Sequence, residues 1–157
     1  MEHLEIERKF LVRSDGFKQN ATSQTRIVQG FLNTDPERTV RVRIKGEKGF
    51  LTVKGASNES GTTRFEWETE ITVVEATNLI DLCEAGILEK VRFEVPMGKH
   101  VFEVDEFLGE NKGLLLAEVE LTHEDERFEK PDWLGEEVTG QVQYYNSQLS
   151  LKPFKEW

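Results

Sequence analysis

The chain has 157 residues, enough for a domain with a substantial core, and carries 30 acidic against 20 basic side chains for a net charge of −10. Ten Phe and three Trp are too many bulky aromatics for a disordered acidic chain, although the apolar fraction is only 37%. An acidic surface repels nucleic acid and phosphate, so an anion site here requires local clustering of bases or a bound cation.

Cys83 is the single cysteine, which excludes an internal disulfide and a cysteine-only zinc cluster. His3, His100 and His123 are scattered without metal-ligand spacing and read as surface residues. No apolar run approaches the ~20 residues of a membrane helix, and no leader-like segment follows Met1. The expectation is a cytoplasmic protein with neither a membrane nor a nucleic-acid partner.

Leu4–Val12 opens the chain with strand periodicity. Side chains alternate along extended backbone, so Glu5, Glu7 and Lys9 share a face at spacings of about 6.5–7 Å, opposite Ile6 and Phe10. Two acids and a base in one row suit a metal ion carrying a polyanion and suit a core poorly. Thr25–Asn33 and Thr39–Lys45 follow, the latter with Arg41, Arg43 and Lys45 opposite Val40, Val42 and Ile44. A turn at Gly46–Gly49 leads into Phe50–Lys54 and makes a hairpin. Thr63–Val73 then places Arg64, Glu66, Glu68 and Glu70 on one side, and Phe65, Trp67, Ile71 and Val73 on the other.

Glu75–Ala85 has helical spacing, with Leu79, Ile80, Leu82 and Cys83 on one stripe and Gly86 as the stop. Glu89–Val95, Lys99–Leu108 and Leu114–Thr122 read as antiparallel strands joined by glycine-bearing turns. In the tail, helical pieces are expected around Trp133 and Tyr144–Leu151, bounded by Pro131 and Pro153. No repeat or linker divides the chain, so one antiparallel, strand-rich domain over residues 1–157 is expected.

One wet face and one packed face explains any single strand. That explanation weakens when the rows are sorted by sign. Arg41/Arg43, Lys90/Arg92 and Lys54 supply bases, while Glu5/Glu7, Glu118/Glu120 and Glu103/Asp105 supply acidic pairs two residues apart. Curling such a sheet into a barrel would turn the charged rows inward around a wet channel, and a polyphosphate with a divalent metal would satisfy them. Arg8 and Glu106 fall on the wrong parity, Lys45 and Glu70 lie at strand ends, and all four read as structural or solvated. Tyr144 and Tyr145 suit the channel mouth, with a core role expected for at least one. Cys83 reads as a small core residue.

Glu5-x-Glu7-x-Lys9 near the start resembles the signature of the CYTH, or triphosphate tunnel metalloenzyme, superfamily. Glu5–Val12 is similar to the short bacterial inorganic triphosphatases of that group. Gln29–Leu32, Val40–Ile44, Leu51–Lys54, Lys90–Phe93, Val104–Phe107, Ala117–Leu121 and Tyr145–Leu149 match in order, so the resemblance covers essentially the whole chain. It implies an α+β fold, an antiparallel eight-stranded β-barrel tunnel with helices packed outside.

The resemblance further implies metal-dependent hydrolysis of a small-molecule triphosphate with Mg²⁺ or Mn²⁺. It makes Glu5, Glu7, Glu118 and Glu120 metal and catalytic carboxylates, with Asp105 as a further metal ligand and Glu103 in a supporting role. Lys9, Arg41, Arg43, Lys54, Arg64 and Arg92 become phosphate ligands, and Lys90 a catalytic contact to phosphate or leaving group. Inorganic tripolyphosphate is the simplest substrate. Thiamine or nucleoside triphosphate hydrolysis, a class IV-type adenylate cyclase and a non-catalytic polyphosphate-binding module are the alternatives. A homodimer is expected by family analogy alone.

Overall fold

The computed structural model describes residues 3–157. The alternating segments form β1 (Leu4–Val12), β2 (Ser23–Asn33), β3 (Arg38–Lys45), β4 (Lys48–Ser57), β5 (Thr63–Ile71), β6 (Leu88–Met97), β7 (His100–Phe107) and β8 (Leu115–Glu120). A ninth strand, β9 (Leu134–Glu137), follows, with helices α1 (Val73–Ile80) and α2 (Asn146–Leu151). The order β5-β4-β3-β2-β6-β7-β8-β1 closes on itself because β5 also pairs with β1. The result is an eight-stranded antiparallel barrel with β9 added at one margin, as expected except for the extra strand.

Closure depends on β1, one edge of which is shared between two partners. Leu4, Glu5 and Ile6 pair with Phe65, Arg64 and Thr63 of β5, while Phe10 and Val12 pair with Glu137 and Leu134 of β9. The opposite edge runs against β8, with Glu7 facing Glu120 and Lys9 facing Glu118. At the changeover, the Glu7 N–H donates to the Thr62 carbonyl (3.0 Å) and the Val138 N–H donates to the Lys9 carbonyl (2.8 Å). Gly61 and Gly140 meet over this seam, both with φ 77°. A Cβ on Gly61 would lie 2.3 Å from the Gly140 Cα.

Two apolar clusters flank the charged interior. The outer one, with Phe10, Phe93, Phe102, Val104 and Val119, lies under the 3₁₀ turn at Asp15–Gln19 and the segment bearing Trp133 and Leu134. The inner one fills the barrel where β1 and β2 end and β6 and β8 begin. There Phe31, Leu88, Phe107 and Leu116 meet Leu149 from α2, with Tyr144 packed alongside. The same parity is therefore charged over part of a strand and apolar at its end.

The helix expected around Trp133 is instead the approach to β9. The unpaired second half of β1 offers backbone partners to residues 134–138, and Trp133 packs edge-on against Phe17 and Phe102. A tertiary partner overrides local helical spacing. Helix α1 begins at a Thr72/Glu75 capping box but stops at Ile80, short of the expected Ala85. Beyond it, the Glu84 N–H donates to the Phe31 carbonyl and the Glu84 carboxylate accepts from the Thr34 N–H and hydroxyl, tying the chain to the end of β2. Phe65 and Trp67 point outward from β5 and stay 38% and 39% exposed, so the apolar parity is not covered everywhere. Among the described residues, no helix is long and apolar enough to cross a membrane.

Candidate active site

Register pairing carries one parity of every barrel strand inward. The pairs Thr52–Arg41, Gln29–Arg43, Arg92–Asp105, Glu103–Glu118, Lys9–Glu118 and Glu5–Arg64 run around the ring. They enclose a cavity of about 220 Å³ lined by seven acidic and seven basic side chains. Glu103 on β7, Glu118 and Glu120 on β8 and Glu5 and Glu7 on β1 form one wall. Arg41 and Arg43 on β3, Lys54 on β4 and Lys90 and Arg92 on β6 face it. The sequence-predicted row residues all meet here except Asp105, which is buried behind the lining.

Asp105 differs from the other carboxylates because its oxygens are already taken. Arg92 grips it in bidentate fashion (Nε 2.8 Å, Nη2 2.9 Å), and the Lys90 Nζ lies 2.8 Å from Oδ2. Burial opposes its charge, yet Arg92 and Lys90 outweigh that and hold its pKa down. Two ion-paired cations thus share one buried anion, while the Arg92 Nη1 also donates to Glu103 (3.3 Å) and the Lys90 Nζ to the Asn146 Oδ1 (2.8 Å). Burial depresses Lys90 to about 8, against the pull of Asp105.

On the opposite wall Glu68 collects Arg41 (3.3 Å), Arg43 (3.5 Å) and the Thr52 hydroxyl (2.6 Å). The Nε atoms of Arg41 and Arg43 are buried without a partner. Orphaned guanidinium donors are costly and call for an acceptor that the protein does not supply. Burial, with Arg41 and Arg92 close by, lowers Arg43 to about 10. Lys54 bridges Glu5 (3.1 Å) and Glu66 (3.3 Å). Among the described residues, Lys9 and Arg64 form no salt bridge. Lys9 donates to the Tyr144 carbonyl, Arg64 donates to the carbonyls of Gly55 and Pro36, and both sit over the Tyr145 ring.

The acidic wall is crowded with like charge. Burial, Glu118 and Glu5 together push Glu7 well above the usual carboxylate range. Glu118 is equally buried, but Lys9, a hydrogen bond from Glu7, and Arg92 hold it well below. Burial and Glu5 likewise raise Glu66, while Glu5 itself is lowered because Lys54 and a hydrogen bond from Glu66 outweigh its burial. Burial and Glu5 also raise Glu120.

A model of the CYTH domain family matches residues 3–150. The chain belongs to this family. It is 47% identical over 152 residues to the inorganic triphosphatase of Acetivibrio thermocellus, covering 96% of each chain. It is 38% identical to the inorganic triphosphatase of Nitrosomonas europaea, covering 94% of this chain and 97% of that one. The crystal structure of the inorganic triphosphatase NE1496 superposes with a TM-score of 0.65 at 35% identity, over 94% of this chain and 97% of that one. At 19% identity and a TM-score of 0.60, over 77% of this chain and 81% of that one, the PH1012 protein of Pyrococcus horikoshii shares the fold.

Membership in this CYTH tunnel family implies a divalent metal cation. Among the described residues, no three acids, histidines or cysteines converge as a closed ligand cage. The donor set still fits a hard cation, since Mg²⁺-type ions take one or two carboxylates and complete their shell with phosphate oxygens and water. Glu7 beside Glu118, each opposing the other's charge, is the repulsion that a cation relieves.

Several residues in or behind the lining carried no role in the sequence. Glu68 and Thr52 share the parity of Glu66 and Lys54, so alternation alone could have found them. Gln29 was hidden because its row neighbours Ile27 and Phe31 are apolar. Asn146 arrives from the tail, and only the tertiary fold brings it to the cavity. Of the two tyrosines, Tyr144 packs in the inner apolar cluster and Tyr145 lines the cavity.

Proposed function

We propose that this protein hydrolyses inorganic tripolyphosphate inside the barrel, with Mg²⁺ or Mn²⁺ as cofactor. The observation that carries the reading is the pair of opposed walls, acids on β1 and β8 facing arginines with orphaned N–H donors on β3. The relatives that cover nearly the whole chain act on the same substrate class, being inorganic triphosphatases. The cavity, about 220 Å³, is smaller than the ~300–1,000 Å³ of pockets for organic ligands, which favours a bare polyphosphate over a nucleotide or thiamine ester.

Glu5, Glu7, Glu118 and Glu120 are the residues that hold the cation. When bound it neutralises phosphate oxygens and lowers the pKa of a coordinated water. The remaining work belongs to the chain. Arg41, Arg43, Arg92, Lys54, Lys9 and Arg64 grip the phosphate oxygens and stabilise the charge that develops on them, since phosphoryl transfer needs positioning and electrostatics above all. Asp105 acts behind the wall, fixing Arg92 and Lys90, and Lys90 meets an oxygen of the bound chain. Glu68 holds Arg41 and Arg43 in place before substrate arrives. Catalysis by a soluble enzyme in the cytoplasm is consistent with all of these features.

The test is phosphate release from tripolyphosphate, ATP and thiamine triphosphate with Mg²⁺ or Mn²⁺, together with cyclic AMP detection on ATP. Tripolyphosphate should be cleaved fastest. Folded protein that releases phosphate from none of them would overturn the reading, and cyclic AMP without phosphate release would make it a cyclase.

A further inference from the structure

Asn146 is the first residue of α2 and reaches into the cavity from the tail. Its Oδ1 accepts two hydrogen bonds, from the Lys90 Nζ (2.8 Å) and from the Gln29 Nε2 (2.7 Å). Both partners are donors here, and an ammonium can be nothing else. Reversing the amide would set its NH₂ against that ammonium, so the orientation of the group is fixed by its neighbours. With Oδ1 turned toward Lys90 and Gln29, the Nδ2 points the other way. It has no hydrogen-bond partner within the described protein and is not buried, and Asn146 lines the cavity, so this donor is open to a ligand there.

The surroundings are built to hold this arrangement. Gln29 and Lys90 are 0% and 1% exposed. Two of the three Lys90 donors are assigned, one to Asp105 and one to Asn146. Behind α2, Leu149 is anchored in the inner apolar cluster, so the residue is presented on a packed element. Lys90 and Asn146 thus offer adjacent N–H donors to the same part of the cavity. Such a pair selects an oxyanion.

We infer that Asn146 is a substrate-binding residue whose Nδ2 donates to a phosphate oxygen beside Lys90, while its Oδ1 positions the Lys90 ammonium. This rests on the proposal that the cavity takes tripolyphosphate. It gives the tail a direct part in recognition, with Gln29 as a positioning residue that acts through Asn146.

Asn146→Asp separates the two halves of the role. The carboxylate keeps an acceptor for Lys90 and Gln29 but replaces the cavity-facing donor by a second oxygen. Tripolyphosphate affinity, read by calorimetry without metal, should fall about 10–100-fold, the size of a lost hydrogen bond to a charged group. Asn146→Ser, which removes the amide without adding charge, should weaken binding in the same direction and serves if the aspartate variant does not fold. In wild-type protein the Asn146 side-chain amide resonances in a ¹H–¹⁵N spectrum should move on titration with tripolyphosphate. Wild-type affinity in a folded variant, or unmoved amide resonances in wild-type protein that binds tripolyphosphate, would overturn the inference. Wild-type protein that neither binds nor cleaves tripolyphosphate would instead remove the functional reading beneath it.

Discussion

Glu7 and Glu118 lie on neighbouring strands with Lys9 opposite Glu118, and the two carboxyls are driven apart in acidity. Lys9 and Arg92 favour the charge on Glu118, whereas burial and the charges of Glu118 and Glu5 oppose a charge on Glu7. Charging both sets two anions on adjacent strands, a state that a cation makes favourable.

Glu7→Gln should therefore raise the unfolding midpoint of the metal-free protein and abolish metal-dependent turnover. The sign follows from linkage. The folded pKa of Glu7 lies above the unfolded one, so stability from this group is present below the unfolded pKa and is lost as pH rises toward the folded pKa. The substitution removes that loss. Thermal denaturation at pH 5 and pH 8, wild type against variant, reads it out, and a variant less stable than wild type at pH 8 would be the contrary result. Glu5→Gln and Glu120→Gln should also lower kcat by about 100-fold or more with the fold retained.

Lys90 predicts a pH limb. Burial lowers it to about 8 in the free protein, and only its protonated form donates to phosphate. The value of kcat/KM should thus fall as pH rises through about 8. In Lys90→Arg, which stays protonated, that limb should disappear from the accessible range even where the rate is reduced. An unchanged limb would assign it to another group.

Arg43 is held in a strained electrostatic position, between Arg41 and Arg92 with its Nε unpartnered. Tripolyphosphate at 100 times its dissociation constant should stabilise the wild type by about 2.7 kcal/mol, or about 5–10 °C in Tm. Arg43→Met should start from an equal or higher Tm without ligand and lose most of that increment. Full retention of the ligand shift would remove Arg43 from the phosphate site.

Gly61→Ala tests the seam. Its φ of 77° disfavours a side chain, and the added Cβ would meet the Gly140 backbone. The variant should lose more than about 1 kcal/mol in chemical denaturation. Gly46→Ala, at a hairpin turn with φ 61° and open space beyond the Thr25 methyl at 3.5 Å, should lose less.

Alternation and sign made most of the site legible before any coordinates. Glu5, Glu7 and Lys9 were on one face because extended backbone allows nothing else, and Arg41/Arg43 and Glu118/Glu120 followed by the same rule. Period two cannot say where along a strand the interior changes character, which is why Leu88, Phe107 and Leu116 gave no hint that they fill one end. Nor can it reveal contacts made by the tail. Asn146 sits at a helix start in sequence, and its meeting with Gln29 and Lys90 exists only once α2 docks. Asp105 shares the parity of Glu103, yet two cations claim it, and that is a matter of depth and not of pattern.

The divided edge of β1 has one more implication. A strand bonded to β8, β5 and β9 at once has no neighbouring frame into which it can slip. A slip of one residue would break three ladders and simultaneously turn Glu5, Glu7 and Lys9 out of the barrel. Misfolded copies would then lose the inward charged row along with the barrel, so backbone pairing proofreads the placement of Glu5, Glu7 and Lys9.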